Sequence, residues 1–424
     1  MLRSSDRPNQ TAVDEVGLTR SRPDQPTLIR SDSSLKDFVD LDHAATTSLR
    51  PEVAEAMEPF GSLRYGNPSG SHRLARDAVR AVDEARERIA GVVGCRPSEV
   101  IFTSGGTESD NHAITGGLPA RTALPICSAV EHHAVLDVVQ ALGGRIVGVD
   151  RDGRIDQDDL ATVINSVTTL GVEAGVVSVM LANNEVGSIN DLAAVAACVA
   201  HASSTNLAGS ARIPLHTDAV QAAAWLDLRT AAAAADMISL SAHKLGGPKG
   251  IGALVVREPT QIRPMILGGG QERDRRSGTL NVSGIVGFAA AIEAVDAQRA
   301  QTNHRVGALR EQLIRGLAES VDGLTETVDR NETLPGSCHI CIDGVDSESL
   351  LLLLEAEGVL ASAGSSCASG AREASHVLTA LGVAEESAQG AVRFWLGWDS
   401  TQSDVDTALR AVPAAVKRVR EFSR

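Results

Sequence analysis

The chain predicts an α/β fold with a large domain, built on a mostly parallel sheet between helices, and a smaller α+β domain. Three observations carry that expectation. The 424 residues exceed one ordinary domain and fall short of three. Hydrophobic residues make up 43% against 22% charged, enough to bury a sizeable core. Short apolar runs alternate with helically spaced ones over most of the length, the pattern of strand–helix–strand units that build parallel sheets.

Taken in order, residues 1–37 are rich in Ser, Asp, Arg, Gln and Pro, which predicts a mobile tail. Leu74, Ala78, Val82, Ala85, Ile89 and Val93 recur at three- and four-residue steps, with Gly94 where a helix C-cap would stand. Val100–Thr103 reads as a buried strand running into a Gly-rich turn and a helix. Further strands are expected at 125–128, 145–149, 176–180, 213–218, 237–241 and 251–256, with helices near 133–142 and 191–202. An alanine-rich helix is expected around 231–235. Past about residue 300 a long helix and then sparser strands mark a boundary. The large domain is therefore placed at 50–299, and the small one at 38–49 and 300–424.

Composition narrows the function. Lys and Arg number 39 against 54 Asp and Glu, a net charge of −15, so duplex nucleic acid and anionic membranes find no basic footprint. Only ten aromatic residues (Trp 3, Tyr 1, Phe 6) leave few stacking platforms for single strands. Six cysteines in so long a chain make no disulfide framework, and no apolar run approaches a membrane span. A cytoplasmic metabolic protein with reduced thiols is expected.

Three segments carry chemistry. In Asp236–Gly252 an apolar strand runs into Ser241-Ala242-His243-Lys244 and a Gly/Pro turn. A lysine at a buried strand end loses solvation, which lowers its pKa and makes it nucleophilic. Alone, the same letters fit an exposed turn lysine. Asp218 closes the preceding strand, where open α/β sheets bind ligands, and suits a protonated ring nitrogen; it also suits a helix N-cap. Thr103-Ser104-Gly105-Gly106-Thr107 follows a strand and opens a helix, as a phosphate cup does, although a Gly-rich turn can be only a turn. No Lys-Ser/Thr pair follows its glycines, so it is not a Walker loop.

These residues, with others, carry a family resemblance. DHAATT (42–47), YGNPSGSH (65–72), FTSGGTESDN (102–111), EHHAVLD (131–137) and NNEVG (183–187) occur in order. DAVQ (218–221), SAHKLGGPKG (241–250), GGGQERDRRSGT (268–279), SAGSSC (362–367) and VRFWLG (392–397) follow. From residue 38 to the end the chain resembles the cysteine desulfurases of the class V aminotransferase group, fold-type I enzymes that use pyridoxal 5'-phosphate. The length after Cys367 resembles the long-loop branch that serves iron–sulfur cluster assembly and tRNA thiolation.

The resemblance implies a role for each matching residue. Lys244 would hold the cofactor and then move the substrate's α-proton. Asp218 would keep the ring nitrogen protonated, and Gln221 would hydrogen-bond the ring's phenolic oxygen. His132 would stack on the ring and serve in proton transfer. Gly106, Thr107, Ser241 and His243 would bind the phosphate, and Thr279 would reach the phosphate of the other subunit in a homodimer. Asn184 would hydrogen-bond the same edge of the ring as Gln221 or, with Arg393, clamp the carboxylate of L-cysteine. Cys367, among very small neighbours, would become a persulfide and hand sulfur to a protein acceptor, with alanine released; on its own the segment also fits a small-residue turn.

Other readings are set aside. Cys338-His339-Ile340-Cys341 spells C-x-x-C, but falls in an expected strand, where positions three apart face opposite sides; no metal site is expected. Arg273, Arg275 and Arg276 read as a solvated loop near a dimer contact, with Arg276 helping to shape the site. Gln271 stands where many members have His, and Arg-Glu-Ala-Ser at 372–375 lacks a proline common there. These departures bear on the acceptor, which can be an iron–sulfur scaffold, a thiolation enzyme, a DNA-sulfur-modification system or a biosynthetic carrier. The rivals are a lyase for selenocysteine or cystine, and a carrier partner with weak turnover.

Overall fold

The computed structural model describes residues 38–120, 122–204, 212–364 and 375–422, of which Val39 onward forms one compact unit. The expected tail at 1–37 and Cys367 lie outside the described residues. Twelve strands are present among these: β1 Val39–Asp40, β2 Val100–Thr103, β3 Leu124–Ser128, β4 Arg145–Val147, β5 Ala174–Ser178 and β6 Leu215–Asp218. Then come β7 Met237–Ser241, β8 Gly252–Val256, β9 Leu324–Glu326, β10 Ser337–Ile342, β11 Val359–Leu360 and β12 Ala391–Trp395.

Seven of them make the central sheet, in the order β2-β8-β7-β6-β5-β3-β4. Only β8 runs against the rest, so the carboxyl ends of the other six share one edge. Alternation along the strands explains why both faces are covered. Val100, Phe102, Ala253 and Val255 join the main core, while Ile101, Leu254 and Val256 join a separate cluster on the other face.

The helix Arg73–Val93 buries the stripe expected of it from Ala78 to Val93, with Leu74 half-buried, and Gly94 caps it at φ 73°, a left-handed conformation that only glycine adopts cheaply. A helix of 39 residues, Val282–Ser320, packs on it and on the helices Pro51–Ser62 and Gln402–Phe422. The alanine run at 231–235 departs from expectation. Its helix is only Leu228–Ala231, because the chain must turn at once to deliver buried Asp236 beside β6, where Asp236 accepts from Leu215 N at 2.9 Å.

A three-stranded antiparallel sheet, β12-β10-β9, stands apart from the large one. Within β10, Cys338 faces the main core and Cys341 a smaller cluster, as the spacing of three requires. Burial pushes the Cys338 thiol up to about 12. Among the described residues no cluster could hold a metal ion, and no helix is long and apolar enough to cross a membrane.

Candidate active site

The strand ends at the shared edge open onto a cavity of about 440 Å³. Lys244 follows the last residue of β7 in a tight turn, and Asp218 is the last residue of β6. The Lys244 ammonium donates to Ala45 O at 2.8 Å and also to Ala44 O, so the 42–47 segment forms its seat. That segment is tied down in turn: Thr47 Oγ1 donates to His243 O at 2.7 Å and accepts from Gly246 N at 2.8 Å. Burial, and then the Arg393 charge, lower the Lys244 pKa to about 8, which leaves a usable fraction of neutral amine near neutrality.

Asp218 is buried and takes one hydrogen bond, from Val220 N at 2.8 Å. Burial raises its pKa; His132, the Val220 N–H and Lys244 pull it back. Behind it Asp110 and Glu131 are buried too, and desolvation with the Asp218 charge pushes both well above the carboxylate range. Of the three, Asp218 is the one that His132 and Lys244 pull back. His132 caps the helix His133–Ala141, and its Nδ1 accepts from Ala134 N at 3.1 Å. The neutral ring then carries its proton on Nε2, and burial keeps it neutral by lowering its pKa.

An anion cup lies at one end. Gly106 opens the twelve-residue helix Gly106–Gly117, with Thr107, Ser241 and His243 around it. A Cβ at Gly106 would come within 2.8 Å of Val220 Cγ2, so the backbone there can approach only as glycine. Burial holds His243 down to about 4, so it faces an anion as a neutral imidazole.

The opposite wall comes from distant segments. Arg393, on β12, donates to Asp42 Oδ1 at 2.6 Å and to Asn184 O at 2.9 Å. Glu185 is buried, accepts from Ser375 Oγ at 2.6 Å, and lies against Gly364, where a Cβ would meet its Oε2 at 2.9 Å. His376 Nε2 is hydrogen-bonded to Glu131 O, 2.9 Å away.

Of the residues expected to act, ten line this cavity: Lys244, Asp218, Gln221, His132 and Asn184, together with Gly106, Thr107, Ser241, His243 and Arg393. Thr279 does not; it is exposed, outside the lining. Five other lining or anchoring residues had no expected role: Asp42, Asp110, Glu131, Glu185 and His376. Four of them, all but His376, sit inside the family motifs; Glu131 adjoins His132 and Glu185 adjoins Asn184. Arg276 pairs with Glu108 at 2.7 and 3.1 Å, bracing the cup's helix from outside, while Arg273 and Arg275 both donate to Ser98 O.

Fold and site together define an α/β enzyme with an activated lysine and a buried carboxylate at the strand ends, beside an anion cup. The model of the family Aminotransferase class-V matches residues 39–408. A protein named cysteine desulfurase IscS, from Dictyoglomus turgidum, is 40% identical over 397 residues, 92% of this chain and 97% of its own. Among solved structures, a NifS-like protein superposes with a TM-score of 0.81 at 32% identity, over 90% of this chain and 100% of its own. One described as SspA in complex with cysteine superposes at 0.70 and 30% identity, over 84% and 98%. The chain belongs to the class-V aminotransferase family, among its cysteine desulfurases.

Proposed function

We infer that the chain is an L-cysteine desulfurase that works with pyridoxal 5'-phosphate, with Cys367 as the residue that takes the sulfur. One observation carries the cofactor: Asp218, a buried carboxylate with a single backbone donor, lines the same cavity as a lysine of lowered pKa and a cup for a phosphate. A protonated pyridine nitrogen is the partner such a carboxylate lacks. Bound there, the cofactor supplies an electron sink for charge developing at the substrate's Cα.

The chain's own residues then divide the work. Arg393, with Asn184 beside it, binds the substrate carboxylate, since a guanidinium fits a carboxylate with paired hydrogen bonds. Lys244, in its neutral form, takes the α-proton. His132 Nε2 holds a proton over the same cavity. The Cys367 thiolate attacks the substrate's Sγ: the C–S bond breaks, an S–S bond forms, and the released carbon skeleton is protonated to alanine. Cysteine plus the Cys367 thiol thus gives alanine plus the Cys367 persulfide, and atoms balance.

The same reading includes a homodimer in which Thr279, exposed here, reaches the phosphate of the other subunit. It includes a protein acceptor of the iron–sulfur or thiolation kind, a cytoplasmic setting that keeps thiols reduced, and the division into a large domain at 50–299 and a small one at 38–49 and 300–424. The test is alanine release from L-cysteine with dithiothreitol, for wild type and Cys367→Ala, both loaded with cofactor. Alanine from wild type and almost none from the variant is expected. Equal release from both would sink the persulfide step; none from either would remove cysteine as the substrate.

A further inference from the structure

A second cavity of about 20 Å³ stands back to back with the large one, and Gln221 and Lys244 line both. That volume suits one water molecule. His43, Arg299 and Trp398 also line it. Polar atoms of these residues form an unusual set. Gln221 Oε1, His43 Nδ1, Arg299 Nε and Nη2, and Trp398 Nε1 are all buried without a hydrogen-bond partner. Buried polar groups are almost always paired, with protein or with ordered water, so five such atoms on residues around one small space point to a shared partner.

The chemistry of the set is complementary. Arg299 and Trp398 offer only N–H donors. Gln221 Oε1 is an acceptor. His43 Nδ1 is an acceptor when the ring proton sits on Nε2, the nitrogen 3.6 Å from Asp399 Oδ1. A single water can donate to both acceptors and accept from two of the three donor atoms, one on Arg299 and one on Trp398.

We propose that this cavity is a built water site, in which one ordered water accepts from Arg299 and Trp398 and donates to Gln221 Oε1 and His43 Nδ1. Its consequence is directional. With Oε1 turned to the water, the Gln221 amide presents Nε2 to the large cavity, as a donor. The flipped amide would set its NH2 against two other donors. Arg299 is thereby a positioning residue, acting on the active site through a water and Gln221. The water does not depend on the cofactor assignment; the step from Gln221 to the ring's phenolic oxygen rests on it.

The variants that test this should fold. Asp296, the ion partner of Arg299 at 2.8 Å, is also held by Arg229 at 2.9 and 2.7 Å, so Arg299→Met leaves it paired. Trp398→Phe removes Nε1 but keeps the ring under the Arg50 guanidinium, 4.3 Å away. A high-resolution crystal structure of the cofactor-free protein should show one water bonded to these groups; a dry cavity overturns the proposal whatever the enzyme does. In the loaded protein, Arg299→Met should bind pyridoxal phosphate about fivefold to tenfold more weakly, the size of one lost hydrogen bond. It should also move the pH at which the bound cofactor's visible absorption titrates, with Trp398→Phe moving both less. Wild-type affinity and wild-type titration in Arg299→Met would overturn the positioning role. If the wild type bound no pyridoxal phosphate, the proposed function would fail while the crystallographic result alone decided the water site.

Discussion

The wall that carries Lys244 and Asp218 and the wall that carries Arg393 and Glu185 face the same cavity but are held by different physics. The first is made of strand ends. Asp218 and Ser241 close β6 and β7, whose backbones are locked by ladder bonds to neighbours on both sides, so the side chains inherit the sheet's rigidity. The second also has a paired strand, β12 beside β10, but its side chains are tied to distant segments by single contacts, Glu185 to Ser375 and Arg393 to Asp42, 190 and 351 residues apart. The strand-end wall suits a cofactor that stays in place. The side-chain wall suits a substrate that must enter and leave, because each of its links can be exchanged for a substrate group.

The largest effect should come from the strand-end wall. Lys244→Ala should lose alanine formation by about 10³-fold or more, since it removes the group proposed to move the α-proton. Its thermal stability should hardly change, because the sheet and not the ammonium holds β7. A large loss of stability would break the distinction between the walls. Next in size, Arg393→Lys should raise KM for cysteine about tenfold to a hundredfold, through loss of paired charge-assisted hydrogen bonds, and leave cofactor affinity alone. A shift in cofactor affinity of equal size would mean that the two walls are one unit.

A third outcome concerns pH. The Lys244 amine must be neutral to attack an aldehyde, and burial brings its pKa to about 8. The rate at which the cofactor-free protein captures pyridoxal phosphate should therefore rise about tenfold per pH unit and level off above about pH 8. Stopped-flow absorbance reads this directly. A plateau reached only near the ordinary lysine range would mean that the Ala44 and Ala45 carbonyls, by holding the ammonium form, outweigh desolvation. Asp42→Asn sharpens the same point with a smaller change, about fivefold in KM, as Arg393 loses its charged partner at 2.6 Å.

The same contrast separates the residues that are legible in the sequence from those that are not. Strand-end residues leave a local pattern, an apolar run followed by His-Lys or by Asp, which alone also fits a turn lysine or a helix N-cap and gains its meaning from the motifs around it. Val100–Thr103 and Met237–Ser241 have the bounds that their apolar runs predict, and the cup and the lysine follow from them. Asp42 and Glu185 sit inside family motifs without a local pattern that gives them a role, and His376 lies outside those motifs. A carboxylate becomes a clamp for an arginine 351 residues away only once β1, β11 and β12 have been brought together, and no spacing in the chain encodes that. The alanine run at 231–235 misleads in the opposite way: its helix propensity is real, but the tertiary demand for a buried Asp236 ends the helix early.

The smallest predicted change isolates one link of the side-chain wall. Ser375 Oγ donates to Glu185 Oε2 at 2.6 Å and accepts from Val377 N at 3.1 Å, capping the helix His376–Ala380. Ser375→Ala should cost about 1 kcal/mol, the usual size of a lost cap. The cost should depend on pH, with a definite sign. Burial raises the Glu185 pKa, and the Ser375 hydroxyl partly restores it. A carboxyl with a raised folded-state pKa destabilises the fold as pH rises above its unfolded value. Removing the hydroxyl raises that pKa further, so the gap between variant and wild type should be least in acid and widen as pH climbs from the ordinary carboxylate range toward neutrality. Denaturant melts at several pH values measure it, with Ser375→Thr as the variant that should restore the wild-type curve. A gap of constant size would mean that Glu185 stays protonated throughout, and that the wall is joined by a neutral hydrogen bond in place of a charge-assisted one.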